Sequence, residues 1–98
     1  MVRTKTNQSS HDVLVRKLAK QLENAGHTVS ADVSGYAKPK TFYGMRPDII
    51  AEKNGKRRIV EVETPDSLNT DRDLKQKKIF AGIAKRSEKT TFMRKVTK

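Results

Sequence analysis

An Asn-Gly pair at positions 54–55 separates two strand-like runs and constrains the fold more than any other feature of the sequence. Both central residues of a type I′ turn need a positive φ, so this pair between apolar runs is the strongest short-range signal of a β-hairpin. A two-residue turn also sets the register, in which residues 49–53 face residues 56–60 and Asp48 faces Glu61. The sequence therefore predicts a hairpin whose open end brings two carboxylates together.

A third carboxylate, Glu63, lies one step beyond Glu61 on the same face of its strand. Directly opposed residues hold their Cβ atoms about 4.5–5.5 Å apart, and like charges at that distance destabilise a sheet. A divalent cation would make the cluster favourable, and Mg²⁺ prefers one or two carboxylates together with water and phosphate oxygens. Asp48, Glu61 and Glu63 are therefore candidate ligands of Mg²⁺ or Mn²⁺. The alternative is a solvated face with the register slipped by one residue, which would separate the acids.

The net charge points to a polyanionic partner. Twenty-two Lys and Arg residues stand against eleven acids, which gives a formal charge of +11 at pH 7. A charge of this size and sign indicates nucleic acid most often, and a basic surface on a protein with another task is the alternative. A basic surface around a local acidic pocket suits an enzyme that binds a phosphate backbone and needs a metal ion at one point on it.

Length and composition exclude several other classes. Ninety-eight residues make one small domain with a limited core. Cysteine is absent, so a disulfide framework and a Cys-based zinc site are excluded. Since the sequence has no apolar run as long as a membrane span or a signal-peptide core, we expect a soluble, intracellular, cytoplasmic protein with no membrane partner.

The first part of the chain predicts an arm and a helix. Residues 1–8 lack periodicity and are interpreted as a flexible basic arm that precedes a single domain over residues 9–98. The helix is expected to start near Ser9 or Ser10, and His11 in its first turn is interpreted as a surface residue. The apolar stripe of this helix consists of Leu14, Val15, Leu18, Leu22 and Ala25.

A strand is expected over residues 28–33, and the following segment, residues 37–46, interleaves basic residues with Phe42 and Tyr43. Such a segment can line a nucleic-acid channel, and the alternative is a loop whose aromatic rings pack on the core. The cationic candidates for phosphate contacts, here and on the second helix, are Lys38, Lys40, Arg46, Lys75, Lys77 and Lys78.

After the hairpin, Thr70 with Asp73 is typical of a helix cap, and the basic helix that follows is expected to end near Arg86. Residues 90–96 predict a last short strand. The expected apolar face of the helix consists of Leu74, Phe80, Ile83 and Ala84. Helix, three strands, helix and strand make an α/β or α+β fold, with a mixed sheet flanked by helices.

This element order and the central residues resemble the PD-(D/E)XK nuclease superfamily, whose restriction-endonuclease-like core is a helix, a three-strand meander, a helix and a strand. Pro47 and Asp48 match the Pro-Asp of the family motif, and the triplet Glu61, Val62 and Glu63 stands where the family has acid-x-Lys. The resemblance covers most of the chain in element order and about twenty residues in sequence. It implies a nuclease-like domain whose acids bind a metal ion.

The chain departs from the family pattern at Glu63, which replaces the lysine. Some restriction-enzyme members are similar in carrying glutamate there, and in other members the lysine has moved to a neighbouring element, a place that Lys75 or Lys77 could take here. Gln76 with Phe80 resembles the Gln-x-x-x-Tyr pattern of exonuclease-like members, with Phe for Tyr. The resemblance thus adds Lys75 and Gln76 to the candidate catalytic residues.

The leading hypothesis is a Mg²⁺-dependent (endo)nuclease that cleaves phosphodiester bonds of DNA. Asp48 and Glu61 would hold the metal, and Glu63 would orient or deprotonate a water or hold a second ion. The rival hypothesis is a nuclease-fold nucleic-acid-binding protein without efficient catalysis, and a third is an assembly protein whose acids meet basic residues of a partner. For so short a chain, a homodimer that spans a duplex is a further expectation.

Overall fold

The structure, a computed structural model, describes residues 5–64 and 70–96, and it describes side chains from His11 onward within those ranges. Its elements in chain order are α1 (Lys5–Asn24), β1 (Thr28–Ala31), β2 (Ile49–Lys53), β3 (Lys56–Glu63), α2 (Asp71–Arg86) and β4 (Thr90–Val96). The described chain is therefore a small α+β domain with two helices and a four-stranded mixed sheet, which confirms the expected element order.

The sheet has the strand order β1-β2-β3-β4. The first two pairings are antiparallel, and β3 pairs with β4 in parallel. A parallel pair needs a crossover connection, which α2 supplies between β3 and β4. Among the described strands, β1 and β4 are the two edges of the sheet.

The hairpin between β2 and β3 forms in the expected register. Asn54 and Gly55 have φ values of 54° and 77°, which the type I′ turn requires. Ile50 pairs with Ile59, so the local turn chemistry has set the alignment of both strands. The next position beyond the paired residues is Asp48 opposite Glu61, at the end of the hairpin away from the turn.

Helix α1 covers one face of the sheet and forms the main core. On that face, Ile49 and Ala51 of β2 and Val60 and Val62 of β3 are buried against the apolar stripe of α1. The helix ends at Asn24, and Gly26, two residues beyond, has a φ of 94°. The His27 N–H bonds to the Leu22 carbonyl at 3.0 Å and the Gly26 N–H to the Glu23 carbonyl at 2.9 Å, which is the Schellman pattern.

The opposite face of the sheet packs against α2 through aromatic residues. The ring of Phe80 lies 6.0 Å from that of Phe92 on β4 and 6.2 Å from that of Phe42 in the loop before β2, as measured between centroids. Side chains alternate along a strand, so this face also carries Glu61 and Glu63. The two faces of the central strand therefore differ in character, with an aliphatic core on one and a mixed aromatic and acidic layer on the other.

The start of α1 differs from the prediction. The helix begins at Lys5, before the expected start at Ser9 or Ser10, so residues 5–8 of the expected arm have helical backbone. The rest of that arm, residues 1–4, lies outside the described residues. The added turn changes the position of every later residue relative to the helix start.

Strand β1 is shorter than expected, because it ends at Ala31 and not at Val33. The Ala31 N–H bonds to the Ala37 carbonyl at 3.0 Å and the Asp32 N–H to the Asp48 carbonyl at 2.8 Å, so the chain leaves the regular ladder here. Val33 still packs against the α1 core.

The bounds of α2 agree with the prediction, and its buried face does not. The Thr70 hydroxyl accepts a hydrogen bond from the Asp73 N–H at 3.2 Å, which confirms the cap. Leu74, expected in the apolar face, is 49% exposed, whereas Asp73 and Gln76 are buried beside Phe80. The polar residue Asp73 can take the inner position because the Arg94 guanidinium of β4 donates to both of its carboxylate oxygens, at 3.1 and 3.0 Å.

In the part of the chain that the structure describes, neither helix is long and apolar enough to cross a membrane.

Candidate functional site

Asp48 and Glu61 form a reciprocal pair at the open end of the hairpin. The backbone N–H of Asp48 donates to Oε1 of Glu61 at 3.1 Å, and the backbone N–H of Val62 donates to Oδ2 of Asp48 at 2.8 Å. Each carboxylate thus accepts a backbone hydrogen bond from the opposite strand. The expected cross-strand neighbours are therefore in contact, and the slipped register is wrong.

The carboxylates are much less exposed than surface acids. Glu61 is 3% exposed and Glu63 is 2% exposed, and Asp48 is partly buried. The α2 side of the sheet encloses Glu61 and Glu63, since both alternate with Val60 and Val62 of the α1 core. Burial of carboxylates this close together requires a compensating charge, a shared proton or a bound cation.

Protonation is strongly favoured at Glu61. Burial first, and then the negative charges of Asp48 and Glu63, raise the pKa of Glu61 to about 10, while the hydrogen bond from the Asp48 N–H acts in the opposite direction. At neutral pH, and with no cation bound, Glu61 therefore keeps its proton.

His11 joins this cluster and was missed by the sequence analysis, which placed it at the surface. It is 4% exposed, with Nε2 3.2 Å from Oδ2 of Asp48 and Nδ1 3.0 Å from Oδ1 of Asp12. Because α1 begins at Lys5, His11 lies in the second turn, on the stripe that faces the sheet. The other buried members of that stripe are Val15, Ala19 and Leu22. This four-residue spacing was the signal that could have placed His11 inside.

The candidates on α2 separate into an inner and an outer group. Gln76 is buried beside Phe80, as its spacing predicted, whereas Lys75, Lys77 and Lys78 are exposed. Among the described residues, Lys75 forms no ion pair, so the structure does not bring it to the carboxylates. The catalytic role assigned to Lys75 stays a prediction.

In the loop before β2, the interpretation that the aromatic rings pack on the core holds for Phe42 and not for Tyr43, and the nucleic-acid channel stays a prediction. Phe42 packs on Phe80 of α2, and the side-chain cations of Lys40 and Arg57 lie 5.2 and 5.1 Å from its ring centroid. Tyr43 is 77% exposed and is free of the core. The predicted phosphate contacts Lys38, Lys40 and Arg46 are all exposed, and the Nε–H of Arg46 bonds to the Pro39 carbonyl at 3.2 Å.

The carboxylate oxygens of Asp48 and Glu61 are chemically suited to a hard cation, but they do not surround one completely. Within residues 11–64 and 70–96, no group of three or more His, Asp or Glu side chains is arranged to hold one metal ion. Mg²⁺ in phosphate-processing sites is usually bound by one or two carboxylates, with water and substrate oxygens completing the shell. Asp48 and Glu61 supply that minimum, and the raised pKa of Glu61 marks where a cation would relieve repulsion between the two carboxylates.

Comparison of the sequence with protein-family models and with curated proteins gave no match. The resemblance to the PD-(D/E)XK superfamily therefore rests on the element order and on the residues around Asp48 and Glu61.

Proposed function

We propose that this protein is a divalent-metal-dependent nuclease of the PD-(D/E)XK type, with a restriction-endonuclease-like core, acting on DNA. The observation that carries the proposal is the burial of Glu61 and Glu63 beside Asp48, at the open end of a hairpin in a protein of net charge +11. Opposed, buried carboxylates oppose folding, so their presence together calls for a chemical use. A buried acid of raised pKa, Glu61, in a basic protein favours chemistry on a phosphate backbone.

In this mechanism Asp48 and Glu61 hold Mg²⁺ or Mn²⁺. When bound, the cation supplies a water of lowered pKa and stabilises negative charge at the phosphoryl group. The Val62 N–H fixes the Asp48 carboxylate from one side, and His11 packs against the same oxygen, so Asp48 is held in one orientation. His11 is therefore a positioning residue that acts through Asp48.

Glu63 and the basic residues complete the site. Glu63, next along the strand face from Glu61, orients the attacking water or accepts its proton. The buried amide of Gln76 offers both a donor and an acceptor on the same side of the sheet. The exposed Lys77 and Lys78 of α2 neutralise the phosphate backbone, and the exposed ring of Tyr43 is available to stack on a base.

The second candidate is a nucleic-acid-binding protein with this fold that does not cleave efficiently. Two observations favour it. Glu63 stands at the position where the PD-(D/E)XK superfamily has its lysine. In addition, the described side chains do not form a group of three ligands arranged to hold a metal ion. The binding surface would be the same in both cases, so that only the use of the carboxylates differs.

Cleavage by wild type and by a Glu61→Gln variant tests the proposal. Glutamine keeps the size of Glu61 and removes its charge, so metal-dependent cleavage should be lost while DNA binding stays within about threefold. Plasmid, branched and flapped DNA are incubated with Mg²⁺, with Mn²⁺ or with EDTA. The matched control is Glu52→Gln, which makes the same change at an exposed position of β2 and should leave cleavage unchanged.

The outcomes separate the two candidates. Equal metal-dependent cleavage by wild type and Glu61→Gln would remove Glu61 from the mechanism. Failure of the wild type to cleave any of these substrates, with binding intact, would favour the binding protein. Sedimentation of the DNA complex in the same buffers tests the proposed dimer, which predicts two protein copies for each short duplex.

A further inference from the structure

A groove lies beside α1 on the face of the sheet opposite to the carboxylates. Helix α1 packs on β1, β2 and β3, and β4 extends beyond it as the sheet edge. A cavity of about 260 Å³ lies between the helix and this strand. Its floor includes Val60 and Met93, and its rim includes Arg58 and Lys95.

A second cavity, of about 310 Å³, lies nearer the hairpin turn and shares the lining residue Arg58 with the first. The basic side chains that line the second cavity are Lys53, Lys56, Arg57, Arg58 and Lys89. Glu88 is the one acidic residue in its lining within the described part of the chain. The two cavities together are named the α1–β4 groove.

Two of these cations are already engaged. The Lys53 ammonium donates to the Ala25 carbonyl at the end of α1, at 2.6 Å. The Arg57 guanidinium lies 5.1 Å from the ring centroid of Phe42. The Lys53 contact satisfies part of its charge, and the Arg57 guanidinium lies on the α2 side of the sheet, so neither side chain supplies free charge to the groove.

Four other cations are exposed along the groove: Lys56, Arg58, Lys89 and Lys95. Among the described residues, none of the four forms an ion pair with a carboxylate. Basic side chains gathered beside an apolar floor, with Glu88 as the one acid in the lining among the described residues, leave a concentrated positive potential. Such a surface fits a partner with regularly spaced negative charges.

The length and shape of the groove select the partner. From Lys89 to Lys95 the strand advances roughly 20 Å, at about 3.3 Å per residue. A base-stacked strand of DNA advances about 3.4 Å per phosphate, so at most about six phosphates span that length, and an extended single strand places fewer there. The groove is bounded by α1 on one side and by the sheet edge on the other, and its apolar floor at Met93 and Val60 can meet sugars and bases. These features fit one nucleic-acid strand better than a duplex.

We propose that the α1–β4 groove binds the sugar–phosphate backbone of single-stranded nucleic acid. The inference rests on the proposed function for the identity of the polyanion, and it adds a second contact remote from the carboxylates. Arg58 pairs across from Thr91, and alternation places Arg58 and Lys95 on the face of the sheet opposite to Glu61. The groove therefore holds a single-stranded segment of the nucleic acid while another part of the same nucleic-acid molecule lies at the carboxylates.

The test is binding of a fluorescent 20-nucleotide single strand, and of the matching duplex, in EDTA so that cleavage is absent. The Arg58→Gln/Lys95→Gln variant removes two groove cations. Its affinity for the single strand should fall about tenfold or more, and the slope of log K against log[salt] should decrease by about 1.4, at about 0.7 for each contact. The control, Lys85→Gln/Arg86→Gln, changes the same net charge at the exposed end of α2 and should have a smaller effect.

Each other outcome overturns the inference. Equal losses in the groove variant and the control would show that only net charge matters. Equal losses for single strand and duplex would contradict the assignment to one strand. Competition by polyglutamate at the same charge concentration as the DNA, dependent on Arg58, would assign the groove to an acidic protein.

The proposed function and this inference can be refuted independently of each other. Wild-type protein that does not cleave DNA with metal, but binds the single strand through Arg58, contradicts the nuclease and supports the groove. Protein that cleaves normally after the Arg58→Gln/Lys95→Gln change, with unchanged single-strand affinity, supports the nuclease and contradicts the groove.

Discussion

The Glu61→Gln substitution should make the metal-free protein more stable at neutral pH. Glu61 is buried, and burial followed by the charges of Asp48 and Glu63 raises its pKa to about 10. The folded protein therefore carries a proton on this carboxyl at pH 7, whereas the unfolded chain has released it. Glutamine has nearly the shape of the protonated acid and needs no proton, so folding of the variant avoids this uptake.

The sign and size of the effect follow from the proton count. Between the ordinary pKa of 4.5 and about 10, the folded state of the wild type binds one more proton than the unfolded state. Its stability is therefore highest below the lower value and falls as the pH rises toward the upper one. One proton corresponds to about 1.4 kcal/mol per pH unit, so the loss between the lower value and neutral pH is on the order of 3 kcal/mol.

The measurement is denaturant unfolding followed by circular dichroism, in EDTA at constant ionic strength, at intervals of one pH unit from 5 to 8. The titratable groups that face Glu61 are Asp48 and Glu63, with His11 against Asp48, and all three are retained in the variant. The stability difference between Glu61→Gln and wild type should therefore report Glu61, and it should grow with pH. Glu52→Gln, at an exposed position, is the control and should track the wild type.

A stability difference that does not change with pH would refute the raised pKa of Glu61. A Glu61→Gln variant less stable than wild type at pH 8, with no metal present, would show that the ionised carboxylate stabilises the fold. That result would remove the repulsion argument for a cation at this site.

Three further predictions follow from the same structure. Mg²⁺ or Mn²⁺ should raise the melting temperature of the wild type at pH 8 and have little effect on the Glu61→Gln variant, as measured by differential scanning fluorimetry; an equal rise in both would argue against metal binding at Glu61. Arg94→Ala should destabilise the protein by about 3 kcal/mol in denaturant unfolding, because it leaves the buried Asp73 without its guanidinium, and a loss below about 0.5 kcal/mol would show that the pair is dispensable. Gly55→Ala should cost about 1–2 kcal/mol in the same assay, because its φ of 77° is strained for alanine, whereas Asn54→Gly should change stability by only a few tenths of a kcal/mol; similar effects of the two changes would contradict the assigned turn.

The local sequence determined the backbone elements whose signals are local. The Asn-Gly turn set the hairpin and its register, because few residue pairs accept two consecutive positive φ values. From that register alone, the contact between Asp48 and Glu61 could be predicted. Thr70 determined the start of α2 by the same kind of reasoning, since its hydroxyl replaces a backbone acceptor that the first turn lacks.

The environments of the side chains could not be read locally, because they depend on residues distant in sequence. Asp73 faces inward and Leu74 outward because Arg94, on β4, supplies the buried charge partner of Asp73. His11 is enclosed because α1 starts early and its second turn meets Asp48 across the end of the sheet. Residue type alone places Asp73 and His11 at the surface and Leu74 in the core, because it carries no information about the tertiary partner of each residue.

The candidate site divides in the same way. The sequence alone determined that two carboxylates meet and that a third follows on the same strand face, because strand alternation and turn length are backbone properties. Only the tertiary structure decided that Glu61 and Glu63 are buried, that His11 stands against Asp48 and that Lys75 lies outside. Those results depend on how two helices pack on the opposite faces of one sheet, and that packing sets the desolvation that raises the pKa of Glu61.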